Sequence, residues 1–435
     1  PLSASGRAGG AFGVKNSRLH WMVSARRSLW SLIRNRRLSQ RFKSWSTPSP
    51  FLLDAISPDS SVGSQLFSLF SSGNVELKYS DFHSAVRLNR GLQQFYASFY
   101  SGNNIFGNDA LETDTTLFTA TSDEYRWHNT VGTLEYNRVL SSRLLGTLKL
   151  WKSSYRLRHP FDQSPFETAY ANLNGRDSLA TEFNQIETIG WRGGLDIAVG
   201  ARHSISTGIE ASSIDNDFRF SVDPTGQTPP ITKSRYATAR WKLTGFIQDD
   251  LSLGYRTTIT AGSRFTYIPL LEKVFAEPRL SLRHDQPLAN GSTLSLRLAT
   301  GLYKQYLNQF DVAPYTVSAI LPSFRFWIPL ATETRPPSAV HLSSEGLLTI
   351  NQSLSVRSEV YYKLQTHLNE INYGEPENLS RSFITSGEGR AFGTGVTLLA
   401  NVHGYNGHVS YMYGRSRVKI PNRFDGQFVE SPWST

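Results

Sequence analysis

Apolar and polar residues alternate with a period of two along most of the chain. Over 354–364, Leu354, Val356, Val360, Tyr362 and Leu364 fall on one face. Ser355, Arg357, Glu359, Tyr361 and Lys363 fall on the other. Successive side chains of a strand point to opposite faces, so this is a sheet segment with one apolar and one polar side. Around 293–303, Leu294, Leu296, Leu298 and Leu302 oppose Ser295, Arg297, Ala299 and Gly301. Around 257–267, Ile259, Ala261, Phe265 and Tyr267 oppose Thr258, Thr260, Arg264 and Thr266. About sixteen such segments are expected, at 3–14, 19–29, 74–89, 92–104, 125–138, 143–158, 181–199, 203–221, 236–253, 256–268, 275–286, 292–306, 339–351, 353–366, 386–402 and 407–420. Many exceed ten residues, whereas strands of globular proteins usually have about five or six. Long amphipathic strands suit a membrane barrel, whose strands need roughly 9–11 residues to cross. The expected fold is an all-β transmembrane antiparallel β-barrel.

The connections sort by length. Short ones fall at 14–18, 89–92, 139–142, 200–202, 254–256, 286–291 and 403–406. Long ones fall at 30–73, 104–124, 159–180, 222–235, 307–338 and 367–385, with a middling one at 269–274. The two kinds alternate, as they do in outer-membrane barrels with short periplasmic turns and long outer loops. Trp21, Tyr136, Tyr155, Trp191, Trp241, Phe246, Tyr267, Tyr303 and Tyr413 lie near segment ends, where interfacial girdles are expected. Cross-strand packing also favours aromatics there.

Several phrases, in order, resemble the TonB-dependent receptors of the bacterial outer membrane. They are Val23-Ser24-Ala25-Arg26-Arg27-Ser28; Phe246-Ile247-Gln248-Asp249-Asp250; Glu277-Pro278-Arg279-Leu280-Ser281-Leu282-Arg283; Pro336-Pro337 with Val340-His341; and Gly387-Glu388-Gly389-Arg390-Ala391-Phe392-Gly393. The resemblance covers most of the chain and is thinnest across 30–73 and 307–335. It implies a barrel of about 22 strands closed by a plug domain. In that frame residues 1–435 are a single, partial barrel domain of about sixteen strands, with the plug and the last strands outside the chain. The implied localisation is the bacterial outer membrane, as a monomeric barrel.

The implied function is uptake of a scarce, bulky nutrient, such as a siderophore or other metal chelate, cobalamin or an oligosaccharide. The implied partners are that small or oligomeric nutrient, outer-membrane lipid and lipopolysaccharide, and the TonB-ExbB-ExbD system acting through the plug. Two other readings stay open. One is a passive, porin-like channel, since porins have roughly 16–18 strands. The other is a soluble basic binding protein, which sorted loops and amphipathic strands argue against.

No covalent chemistry is expected. Ten His are scattered singly, without HExxH or other ligand spacing, and the chain has no Cys. The Gly387–Gly393 run contains GxG without a βαβ context, and no G-x-S-x-G is present. Asp215-Asn216-Asp217 reads as an outer turn. No catalytic residue, metal ligand or cofactor is assigned. The candidate residues are those that alternation turns inward, Arg264, Arg297, Arg357, Glu359 and Lys363, which would hold the plug, line a path, or be ordinary solvated wall. The outer loops at 104–124, 159–180 and 307–338 are the candidate ligand-binding regions.

Charge adds one local feature. The formal net charge is +10, from 45 basic and 35 acidic side chains. Ten basic residues precede the first acidic one, Asp54, so the remainder balances at 35 against 35. The excess concentrates in the first long loop, around Arg34, Arg36, Arg37 and Arg41. That loop is expected to face lipopolysaccharide phosphate or an anionic ligand rather than nucleic acid.

Overall fold

The computed structural model describes residues 3–14, 16–29, 73–113, 118–165, 180–222, 232–289, 291–312, 324–329, 335–371, 384–402, 405–421 and 424–431. Its strands are β1 (Ser3–Val14), β2 (Ser17–Ser28), β3 (Gly73–Arg90), β4 (Gln93–Thr113), β5 (Phe118–Ser141) and β6 (Leu144–Pro165). There follow β7 (Ala180–Val199), β8 (His203–Val222), β9 (Thr232–Leu253), β10 (Thr257–Ile268), β11 (Lys273–Pro287) and β12 (Thr293–Lys304). The remainder are β13 (Leu307–Val312), β14 (Phe324–Pro329), β15 (Ser338–Asn351), β16 (Leu354–Ile371), β17 (Ile384–Val402), β18 (Tyr405–Lys419) and β19 (Val429–Glu430).

Seventeen strands form one antiparallel meander in which each pairs with the next. The exception is β12, which pairs with β15, because β13 and β14 leave the wall as a separate hairpin. Sixteen of the seventeen are the sixteen segments of the alternation, and the last is the two-residue β19. Among the described residues the sheet is not closed by a pairing of its two edges.

Several expected loops are strand instead. β4 runs to Thr113 and β5 starts at Phe118, so most of 104–124 is paired sheet. β6 reaches Pro165, into the region read as the 159–180 loop. The segment Asp215-Asn216-Asp217 lies within β8, not in a turn. The region 307–338 contains the β13–β14 hairpin.

The extensions escape a simple alternation count because they hold residues that favour turns, Gly107-Asn108-Asp109 in β4 and Pro160 and Pro165 in β6, and within the longer strands the two faces also change sign. In the lower part of β5–β8 the outward face is apolar: Leu134, Leu148, Leu150, Ile189, Trp191, Leu195 and Ile209. Ile189, Ile209 and Leu134 are 57%, 58% and 57% exposed. Burial of apolar area is worth about 25 cal/mol per Å², so a continuous apolar face this large belongs against lipid, not water. The face opposite carries Glu135, Lys149, Arg192, Asp196 and Glu210. Towards the end of the longer connections the pattern inverts. Outward positions become His128, Arg126, Lys152, Arg156, Arg158, Gln185, Asp215 and Asp217. Inward positions become Trp127, Tyr125, Tyr155, Leu157, Ile186 and Phe218. Tyr125 and Leu157 are buried there, with Phe106, Trp127 and Tyr155 around them. The period of two continues; what changes is which solvent each face meets.

The girdle expectation divides in the same way. Trp21, Tyr136, Trp191, Trp241, Tyr267 and Tyr413 share the outward face. Phe246, Tyr303 and Tyr155 point inward, because their register partners are inward residues: Arg264 for Phe246, Ile186 for Tyr155. Tyr303 lies on the inner face beside His341, ring centroids 4.6 Å apart. Phe246 and two further rings on the same face cover a glycine directly opposite on the next strand: Trp151 on Gly190, Phe246 on Gly208, Tyr361 on Gly393. A ring laid across a cross-strand glycine fills the area that the missing side chain leaves open.

Candidate functional site: the inner wall and its hairpin

Arg264 sits on β10 with Phe246 of β9 and Glu277 of β11 as its direct neighbours. Its Nη2 donates to Glu210 Oε1 at 3.1 Å. Lys242 Nζ lies 3.4 Å from the same carboxylate oxygen. Glu210 is opposite Arg192 on β7, whose guanidinium lies 4.2 Å above the Phe246 ring. Arg192, Phe246 and Arg264 line an inner-wall cavity of about 530 Å³ that also takes in Glu135, Lys149 and Arg279. Here one carboxylate balances several cations on a polar wall, and the Glu210 side chain is only 13% exposed.

The other inward candidates gather separately, on β12, β15 and β16. Arg297 pairs in register with Glu345, and Arg283 lies on its other side. Arg357 Nε is 3.7 Å from Glu345 Oε1. Glu359 is directly opposite Glu345, two like charges in one cross-strand row beside Arg297. Lys363 faces His341 and places its Nζ 5.4 Å from the Tyr361 ring. The wall therefore holds two charged groups, with Arg264 in one and Arg297, Arg357, Glu359 and Lys363 in the other. Glu210, Lys242, Arg192 and Arg279 were not picked out from the sequence. The phase of alternation in β8 and β9, read from Ile209 and Trp241 as outward residues, is the signal that locates Glu210 and Lys242. Arg34, Arg36, Arg37 and Arg41 lie outside the described residues.

The β13–β14 hairpin packs against β7 and β8 through β14, and against β16 through β13. It thus lies along the inner side of the wall. Its anchor is Asn184 on β7, which is fully buried. Trp327 N donates to Asn184 Oδ1 at 3.1 Å, and Asn184 Nδ2 donates to Trp327 O at 3.3 Å. Asn184 Nδ2 also donates to Asn216 Oδ1 at 3.1 Å. At the root of the hairpin, Lys304 N donates to the buried Glu277 at 2.9 Å. Tyr306 follows, its ring 5.8 Å from Phe275. Burial pushes the Tyr306 phenol up to about 12, so it stays neutral at any physiological pH. The arrangement offers charged groups, aromatic faces and an inward loop, which are means of binding and passage.

No family model matches the chain, and no curated protein does. Solved structures do. The outer membrane transporter YddB from Escherichia coli superposes with a TM-score of 0.54 at 10% identity, over 99% of this chain and 58% of that one. The RagAB peptide transporter gives 0.56 at 8% identity, over 98% and 52%. The copper transporter OprC gives 0.58 at 12% identity, over 98% and 62%. The chain spans between half and two thirds of the length of these proteins. At such identities the likeness is one of fold, and it extends over almost every residue. The fold of this chain is that of the TonB-dependent outer-membrane receptor barrels, a fold of the bacterial outer membrane.

Proposed function

We propose that this barrel forms the wall of an outer-membrane importer for a scarce, bulky nutrient, taken up with energy from TonB, ExbB and ExbD. The inner wall would seat a plug domain, and the two charged groups around Glu210 and Glu345 are the contacts offered to it. The candidate cargo is a siderophore or other metal chelate, cobalamin or an oligosaccharide. The observation that carries the reading is the β13–β14 hairpin against the inner wall, fixed by Asn184. An inward loop narrows the mouth and gives a ligand surfaces to rest on, which suits capture before passage better than free diffusion. Copper and peptide transporters share the fold, so the fold itself does not choose the cargo.

Growth of a deletion strain under iron, cobalamin or glycan limitation tests the proposal, with and without functional TonB. The expected result is a growth defect on one nutrient that loss of TonB reproduces. A steady, large conductance of the purified protein in planar bilayers, with growth independent of TonB, would establish the passive channel instead.

A further inference from the structure

β9 is paired along both edges only in its lower half. β8 pairs with it throughout, from His203 opposite Leu251 to Val222 opposite Thr232. β10 pairs only with Leu243–Leu253. Above that, β10 stops at Ile268 and the chain turns away through Pro269–Leu271, with Glu272 left-handed at φ 51°. Among the described residues no strand pairs with Thr232–Lys242 on the β10 side. Successive residues of an antiparallel strand direct their N–H and C=O to opposite edges. Ser252 N donates to Arg202 O at 2.8 Å, so the even-numbered residues of β9 turn these groups to β8. The register runs without a bulge, so Lys233, Arg235, Ala237, Ala239 and Trp241 turn theirs to the open edge.

Such an edge is a template for another strand. The charges beside it differ between its two faces. Arg240 and Lys242 share the inward phase of Thr244 and Phe246. Lys242 and Arg264 already share Glu210, whereas Arg240 Nε is buried without a hydrogen-bond partner. Outward, Asp215 and Asp217 of β8 stand opposite Ala239 and Ala237. An added strand would meet a cation on its inward side and carboxylates on its outward side. We propose that the open edge of β9 receives an extended peptide as cargo, by strand addition in line with β10, with an acidic side chain turned inward beside Arg240. Backbone hydrogen bonds would hold the peptide, and Arg240 would select the acid. The β13–β14 hairpin packs on the adjacent β8, so the peptide would be held where the wall meets the inward loop. The inference rests on the importer reading and narrows its cargo to peptides.

The test uses the full-length receptor purified in mild detergent and a short fluorescein-labelled peptide of alternating Glu and Thr, whose acids share one face when extended. Fluorescence anisotropy should show saturable binding. Binding should weaken by about tenfold or more when Lys replaces Glu, or when every backbone nitrogen of the peptide is methylated. Arg240→Gln should erase the preference for Glu over Lys. In hydrogen exchange, the amides of Ala237, Ala239 and Trp241 should exchange fast in the free receptor and slowly with the peptide. The Thr238 amide, turned to β8, should be slow in both states. Ala239→Pro removes one open-edge N–H at a position where an edge strand tolerates Pro, and should weaken binding by about tenfold. If that variant lacks the gel shift of a folded barrel, the methylated peptide on the wild type decides. Slow exchange of the odd-numbered amides in the free receptor, or undiminished binding of the methylated or the Lys peptide, would overturn the site. Either result leaves the importer reading to its own growth test. Growth independent of TonB would overturn that reading while peptide binding at the edge stayed measurable.

Discussion

Asn184 holds Trp327 by both backbone polar groups, accepting from its N–H at 3.1 Å and donating to its carbonyl at 3.3 Å. One carboxamide thereby does what a neighbouring strand residue would do. The contact joins residues 143 positions apart and fixes the hairpin to a wall that it does not pair with. Asn184→Leu keeps the volume and removes both bonds. It should cost about 1–3 kcal/mol locally, the usual loss when buried partners are left unsatisfied. The amide of Trp327 should then exchange with solvent faster, while amides of β7 and β8 stay protected. Unchanged exchange at Trp327 would mean that the hairpin is held elsewhere.

The inversion of polarity along β6 places the edge of the lipid. Leu150 and Ser154 both point outward and are two same-face steps apart. Leu150 lies in the apolar stretch, whereas Ser154 lies above Lys152. An arginine on the lipid-facing side of a barrel costs about 2–4 kcal/mol at the bilayer midplane and about 0–1 near the interface. Leu150→Arg should therefore lower folding stability in lipid vesicles by much more than Ser154→Arg. Urea titration followed by the gel shift of the folded barrel checks this. Equal losses would move the boundary above Ser154.

The Glu210 carboxylate serves Arg264 and Lys242 together. Both cations are roughly a quarter exposed, at 30% and 23%, so water screens part of the attraction. Glu210→Gln should cost about 1–2 kcal/mol, less than a fully buried pair would. The further change Arg264→Gln should recover part of that loss, because it removes a cation left without its partner. Denaturation midpoints of the two single variants and the double variant measure the coupling. Additive losses would show that the two groups merely lie side by side.

The strands were legible because each alternates cleanly between two different solvents. Leu354 to Leu364 displays this without any tertiary knowledge. The upper extensions were not, because Gly107-Asn108-Asp109 in β4 and Pro160 and Pro165 in β6 are residues that favour turns. A reader who weighs those residues ends the strand there, although pairing with the neighbouring strand carries it on. That Arg264, Arg297, Arg357, Glu359 and Lys363 share one face of the sheet follows from phase alone, but their grouping does not. It depends on register: Arg264 meets Glu210 only through the pairings of β8 with β9 and β9 with β10. The hairpin anchor was invisible because Asn184 and Trp327 are far apart in sequence and neither belongs to a motif.

Gly190 and Trp151 face each other across β6 and β7. A Cβ placed on Gly190 would lie 2.7 Å from Trp151 Cε2 and 3.0 Å from the Ala211 carbonyl oxygen. The ring must move, while the backbone oxygen has nowhere to go. Gly190→Ala should therefore destabilise the barrel by about 1–3 kcal/mol, the usual range for overpacking. Gly132→Ala, where the added methyl meets open space, serves as the matched control and should be nearly neutral. Trp151→Ala combined with Gly190→Ala separates the two obstacles. If the ring dominates, the double variant should be more stable than the sum of the singles by about 0.5–3 kcal/mol. If the Ala211 carbonyl dominates, the losses should add. Either way the glycine is required by what lies over it, since its strand conformation is open to any residue.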